Sequence, residues 1–251
     1  MDFFTQTSGA WVNFVAVLLG TAIGVGLGNR LPARVGQTLM QVLGLVTVYI
    51  ALGMASDLGK VKVGTLPGVI VALVSLALGG TLGEFFRLEE RLTGLGENLK
   101  TRLKGQGRFT EGFVTACLLF CVGPLTIIGS IQNGLNGDMQ TTLVKSTLDF
   151  ISSIALSGVY GIGVGFSALF LILVQGGISL GAGALSSVLP DPATDPRVLL
   201  LGGVGGLLVL GIGINLILGG LGIAGRNIRT AALLPSLIIA PLMYQIWLWV
   251  R

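Results

Sequence analysis

The sequence predicts an all-α integral membrane protein with about eight hydrophobic segments, and three observations lead there. Of 251 residues, 52% are hydrophobic and only 10% charged, with the charges gathered between long apolar runs instead of alternating with them. The runs reach the roughly 20 residues that a helix needs to cross a bilayer. They do not alternate polar and apolar at every second position, as barrel strands would.

Charge-free intervals mark the elements in order: Asp2 to Arg30, Arg34 to Asp57, Lys62 to Glu84, Glu111 to Asp138, Asp149 to Asp191, Arg197 to Arg226 and Arg229 to Arg251. The fifth is long enough for two helices. The first run, Gly9 to Gly28, follows no basic n-region and carries no convincing cleavage site, so it reads as the first helix and not as a signal peptide.

Between Glu84 and Arg108 ten residues are charged, while Leu88, Leu92, Leu95, Leu99 and Leu103 recur at helical steps. This predicts an amphipathic linker, residues 87–108, whose leucines press on the headgroup boundary or on the protein. Its basic residues, Arg87, Arg91, Lys100, Arg102, Lys104 and Arg108, assign it to the cytoplasm by the positive-inside rule, in agreement with Arg30 and Arg34. The N-terminus is then outside. Topology alone explains these charges, and recognition of anionic lipid is the functional alternative.

Residues 1–86 and 142–251 suggest two related helical repeats, the second with an extra helix. Asn13-Phe14 followed by Gly20 to Gly28 resembles Asp149-Phe150 followed by Ser157 to Gly165, and a weaker likeness relates Gly44 and Gly53 to Gly205 and Gly213. Asn13 and Asp149 would then hold equivalent places, near a site between repeats. Residues 109–141 form a broken or kinked central segment. As a full crossing, the favoured reading, it makes the repeats parallel and puts both termini outside; as a re-entrant element it inverts the second half.

The central segment is also unusual in composition. Gly123-Pro124 interrupts an ordinary membrane helix, and Gly129, Ser130, Gln132, Asn133, Asn136 and Gly137 follow. Such a break frees backbone groups that line substrate paths in transporters, although a kinked helix leading to an external loop would read the same way. Just downstream, Lys145 and Asp149 are four apart and share a helical face, with Ser146 on the adjacent face. A carboxylate drawn into lipid costs several kcal/mol unless paired or hydrated, so Asp149 points to a polar route that binds a cation, a proton or a cationic solute. The structural alternative is an ion pair capping a helix at the interface. Asn215, deep in another apolar run, is a further candidate for the same cavity, or an interhelical hydrogen-bonding residue.

The remaining features are structural. Glycine stripes, Gly20 with Gly24 and Gly28, Gly161 with Gly165, and Gly202 with Gly206, suit close helix packing. The GxG strings lack a preceding strand and a phosphate-loop ending, which argues against ATP-driven pumping. Cys117 and Cys121 read as small apolar packing residues. With no histidine in the chain, histidine relays and serine–histidine hydrolysis are excluded. Pro190, Pro192 and Pro196 with Asp191 and Asp195 mark an extended polar loop between helices, while Arg226, Arg229, Trp247, Trp249 and Arg251 flank the last helix as interface anchors.

Four stretches together, Val12 to Pro32, Phe113 to Ser130, Lys145 to Phe150 and Gly205 to Leu216, resemble the bacterial membrane family known as domain of unknown function 554, or YdfK-like. The family typically has KSVLDG where this chain has KSTLDF, so Phe150 stands in place of a small residue and changes the packing beside Asp149. The resemblance implies a polytopic inner-membrane protein described as a transporter, with no established substrate.

The leading expectation is a secondary transporter or facilitator of an ion or small polar solute in the bacterial inner membrane. A passive channel and a non-transporting scaffold or sensor are the alternatives. One intramembrane carboxylate offers too little chemistry for an enzyme. No cofactor, metal or nucleic-acid partner is expected; the partners are the lipid bilayer and a second copy of the chain, a dimer being the simplest symmetric assembly.

Overall fold

A computed structural model describes residues 2–28, 32–105, 107–184, 191, 193–223 and 227–250. Arg30, Pro190, Pro192, Arg226 and Arg251 lie outside these residues. The described chain is almost wholly helical: α1 Phe3–Gly28, α2 Ala33–Ala55, α3 Gly68–Phe85, α4 Leu88–Arg102, α5 Phe109–Cys121, α6 Pro124–Asn136, α7 Gln140–Tyr160, α8 Gly163–Leu180, α9 Pro196–Gly220 and α10 Ser236–Val250. Short 3-10 turns, Ser56–Lys60 and Thr230–Leu233, precede α3 and α10, and a two-residue hairpin of β1 Lys62–Val63 with β2 Leu66–Pro67 leads into α3.

Six of the described helices are long and apolar enough to span, or seven if the bent pair α5 and α6 counts as one. The eighth predicted segment is α7, which has the length to span but is more polar. It starts at Gln140, nine residues before the charge-free interval begins, so Lys145 and Asp149 lie inside the helix and not at its cap. Gly161, with φ +81, ends α7 in a backbone conformation that a side chain would resist, and the chain turns back into α8.

Contacts fix the helix directions. Gly9 meets Thr142, Gly20 meets Ser153 and Phe150, and Gly28 meets Gly158, so α1 and α7 run parallel. Phe109, at the start of α5, lies on Gly163, while Asn133, near the end of α6, bonds Gly9. The bent pair therefore traverses the molecule from the α4 side to the far side, as one broken crossing. In contrast, α2 and α9 run antiparallel, with Leu58 on Gly203 and Gln41 on Gly220. One core cluster lies among α1, α5, α7, α8 and α9, around Val17, Phe120, Leu156 and Leu171; a second joins α3, α9 and α10.

The leucine stripe of α4 divides. Leu92 and Leu99 pack into the protein, and Gly96 lets the helix settle on Thr110 and Phe113, whereas Leu95 and Leu103 stay exposed. The helix is thus anchored to α5 on one side and free to face lipid on another.

Candidate functional site

The buried face of α7 is polar for most of its length: Thr142, Lys145, Ser146, Asp149, Ser153, Ser157 and Tyr160 all lie on it, with Leu156 among them. At its centre Lys145 Nζ is 2.5 Å from Asp149 Oδ2, both side chains at most 8% exposed. Asn13 Nδ2 donates to Asp149 Oδ2 at 2.9 Å and to Gln175 Oε1 at 3.3 Å. Two charges and two amides from α1, α7 and α8 thus form one buried cluster. Removing a pair of ions from water is unfavourable by several kcal/mol per ion, and the direct contact with its added amide bond is what offsets it.

Glycines make this approach possible. A Cβ at Gly20 would overlap the Phe150 carbonyl and Ser153 Oγ, and one at Gly24 would overlap Ser157 Oγ and the Ile154 carbonyl. Without them α1 could not lie close enough for Asn13 to reach Asp149. Ser153 and Ser157 return their hydroxyls to backbone carbonyls, Ser157 to Thr21 of α1 among them, so polar groups seal this seam too.

Beside the cluster the membrane helix breaks. The axes of α5 and α6 meet at 60° across Val122-Gly123. Gly123 has φ +150, and Pro124 begins α6 where its missing N–H is of no consequence. Gly112 of α5 lies on Tyr160, so α5 runs antiparallel to α7 and its last residue, Cys121, ends near the level of Asp149. Across the break Thr126 Oγ1 donates to the Phe120 carbonyl at 3.4 Å, so one of the carbonyls at this helix end finds a partner in α6.

On the far side of the pair, the polar residues of α6 separate into two roles. Asn133 accepts from the Gly9 N–H at 3.0 Å and donates to Ser8 Oγ at 3.0 Å, and Gln132 accepts from Thr141 Oγ1 at 2.7 Å. These two are struts between helices. Ser130 Oγ, Thr142 Oγ1 and Asn13 Oδ1 are buried without a hydrogen-bond partner among the described residues. Gly129, packed on Thr142, closes α6 onto α7 here, and Ser146 bonds the Thr142 carbonyl at 2.8 Å. Thr21 Oγ1, eight residues further along α1, is a fourth such atom among the described residues; buried polar atoms of this kind are places for a bound water or another polar group.

On the α4 side lies a cavity of about 470 Å³, walled by Arg108, Glu111, Tyr160, Asn215 and Glu89 among others. Arg108 donates from Nε to Glu111 at 2.9 Å and stacks 4.7 Å over the Tyr160 ring. Burial pushes the Glu89 carboxyl above its ordinary range, against the hydrogen bonds it takes from the Ala231 and Ala232 amides and the charge of Arg229. Tyr160 and Asp149 sit on the same face of α7, about 16 Å apart at 1.5 Å per residue. Between them Leu156 and Leu118 belong to one apolar core cluster, while Ser153 and Ser157 lie on the same buried face of α7.

Asn215 is not part of the cluster. Its amide exchanges two 2.8 Å hydrogen bonds with the Ile228 backbone, clamping the segment after α9 at the cavity wall. Gln175, 2% exposed and central to the cluster, escaped the sequence reading. A lone amide in the charge-free stretch of α8 was the available signal, the same one that singled out Asn215. Cys117 sits in an aromatic cluster with Phe109, Phe113 and Phe170, and both cysteines are free thiols, in keeping with packing roles.

The family model described as "Protein of unknown function (DUF554)" matches residues 8–245, nearly the whole chain. The chain belongs to this family. This DUF554 member is 33% identical over 235 residues to the uncharacterized membrane protein YdfK of Bacillus subtilis (strain 168), covering 94% of each chain. It is 28% identical over 246 residues to the uncharacterized protein YqgA of Escherichia coli (strain K12), covering 95% of this chain and 97% of that one. No solved structure matches it significantly.

Proposed function

We propose that this membrane protein is a secondary transporter or facilitator of an ion or small polar solute, with Asp149 as the coupling or binding carboxylate. The observation that carries the reading is the Lys145–Asp149 pair, buried with Asn13 and Gln175 beside a broken helix. A pair kept only for stability needs neither unpaired polar atoms around it nor a break in the adjacent helix. The large cavity on the α4 side supplies access from that side, with Leu118 and Leu156 between it and the pair.

In this reading Asp149 exchanges its Lys145 partner for a proton or a cationic group, and Lys145 holds the site near neutrality when the ligand leaves. Asn13 and Gln175 orient the carboxylate, and Ser130, Thr142 and Ser146 line the way to the far side. The basic α4 linker supports a cytoplasmic location for the cavity, an outside N-terminus and insertion in a bacterial inner membrane. The assembly is a homo-oligomer, most simply a dimer, working without enzymatic chemistry, cofactor or nucleic acid. A passive channel would share the pathway and differ only in lacking gradient coupling; a scaffold would depend on α4 and not on Asp149.

The test is proton and sodium uptake into proteoliposomes under an imposed gradient, for the chain and for Asp149→Asn at equal reconstitution. Uptake lost in the variant supports the proposal. Equal uptake in both removes Asp149 from the mechanism.

A further inference from the structure

The packing of α2 on α9 is that of a two-fold interface. In one gap-free register Val42, Gly44, Leu45 and Ile50 fall on the identical Val204, Gly206, Leu207 and Ile212. Contacts exchange in the same register. A Cβ on Gly44 would meet the Gly213 carbonyl oxygen and the Ile217 amide nitrogen, and a Cβ on Gly206 would meet those of their counterparts, Ala51 and Ala55. Likewise Gly220 lies on Gln41, while Gly203, the counterpart of Gln41, lies on Leu58, the counterpart of Gly220. A contact between i and j that recurs between the equivalents of j and i is the signature of an isologous pair.

The neighbouring helices follow the same operation. Asn13 bonds Gln175 while Thr21 packs on Gly165, so α1 and α8 are antiparallel. Gly83 meets Ala232, Gly79 meets Ser236 and Gly64 meets Trp247, so α3 and α10 are antiparallel. Gly20, Gly24 and Gly26 recur as Gly177, Gly181 and Gly183, and Leu66-Pro67, Ile70 and Ala72 recur as Leu234-Pro235, Ile238 and Ala240. Each Leu-Pro step follows a 3-10 turn. In α1 and α7, whose sequences resemble each other, glycines of the first pack in parallel on serines of the second.

We infer that α1–α3 and α8–α10 are inverted repeats, that α4–α7 is inserted between them carrying the ion pair, and that a second access to the pair opens on the far side at Met54. The last part rests on the transport reading above. Exchange of conformation between inverted repeats turns a cavity on one face into a cavity on the other. Leu216 lines the open cavity, and its counterpart, Met54, now closes the far side: its Cε lies 3.5 Å from where a Gly123 Cβ would stand, over the helix break. Withdrawal of the α2 end from Gly123 uncovers the break at the end of α5, which the antiparallel run of α5 along α7, starting from Gly112 on Tyr160, brings near the level of Asp149. The ligand reaching the pair from there is the same small polar solute or proton.

The test uses the full chain with Cys117→Ala and Cys121→Ala, carrying Leu216→Cys or Met54→Cys, in proteoliposomes under a proton gradient of either sign. A membrane-impermeant maleimide is applied from each face, with proton flux followed in the same vesicles. Asp57→Cys, half-buried in the turn after α2 beside the exposed Lys60, reports sidedness and folding by reacting from the far side throughout. The expected result is reciprocal: conditions that protect Leu216→Cys on the α4 side expose Met54→Cys on the far side. Failure of Met54→Cys to react under either gradient, with Asp57→Cys reacting, overturns the second access, and Asp149-dependent flux in those vesicles would leave the transport reading standing. Reciprocal labelling without proton flux upholds the second access and removes the proton as the coupled ion.

Discussion

Helices α7 and α9 each bury a face against other helices, yet the two faces are opposite in chemistry. The hidden face of α9 is glycine with leucine, valine and isoleucine, and it touches α2 backbone to backbone. That of α7 is hydroxyls, an ammonium and a carboxylate. In a bilayer, burial within the protein does not call for apolar side chains, because lipid is already apolar; close packing and polar satisfaction are the two forces that hold helices together. One helix uses the first and the other the second, and only the second creates a place where charge can be exchanged.

The contrast sharpens first at the ion pair. Asp149→Ala strands the Lys145 ammonium and is expected to lower stability by about 3–5 kcal/mol, as removal of one partner from a buried pair does. The double change Lys145→Met with Asp149→Leu restores most of it, both read by thermal unfolding in detergent. On α9 the corresponding break is steric. Gly206→Leu drives a side chain into the Ala51 carbonyl and Ala55 amide and is expected to lose about 1–3 kcal/mol, the usual range of overpacking. Gly53→Ala, with open space around it, loses nothing and gains up to about 1 kcal/mol of helix propensity.

Effects of comparable or smaller size come from the ends of α9. Asn215→Ala removes both bonds to Ile228 and is expected to lower stability by about 1–3 kcal/mol, at roughly 1 kcal/mol per hydrogen bond. Asp195 caps α9 by accepting from the Arg197 N–H at 2.8 Å, so Asp195→Ala is expected to lose about 1 kcal/mol. Burial pushes the Asp195 carboxyl up, but the Arg197 side chain and amide outweigh it and hold it below the ordinary carboxylate range. A lowered pKa in the folded state means stability that is present above the unfolded value and lost as pH falls through the folded one. The variant should therefore show a shallower loss of unfolding temperature on acidification than the parent chain.

Much of this was legible in the residues. Long charge-free runs identified the spanning helices, and Gly123-Pro124 located the break because no ordinary helix passes through that dipeptide. The four-residue spacing of Lys145 and Asp149 gave their pairing, and the likeness of the Asn13 and Asp149 surroundings drew attention to two residues that do touch. The rest depended on which way a side chain faces. Periodicity within an apolar helix does not separate lipid-facing from protein-facing sides, so the sequence groups Asn215 with a cavity it does not share with Asp149 and does not single out Gln175. The end of a charge-free run is also not the end of a helix. The pair that could have capped a helix at the interface lies instead well inside α7, on the face buried against α1 and α8.

The central claim is that the pair serves passage of a charged or polar species and not the fold alone. The most direct measurement is gradient-driven proton and sodium flux through the Lys145→Met, Asp149→Leu double variant, reconstituted beside the parent chain at matched amount and matched unfolding temperature. The account predicts a folded, inserted protein with no flux above empty vesicles where the parent conducts. Flux equal to the parent from a chain lacking both charges would contradict it.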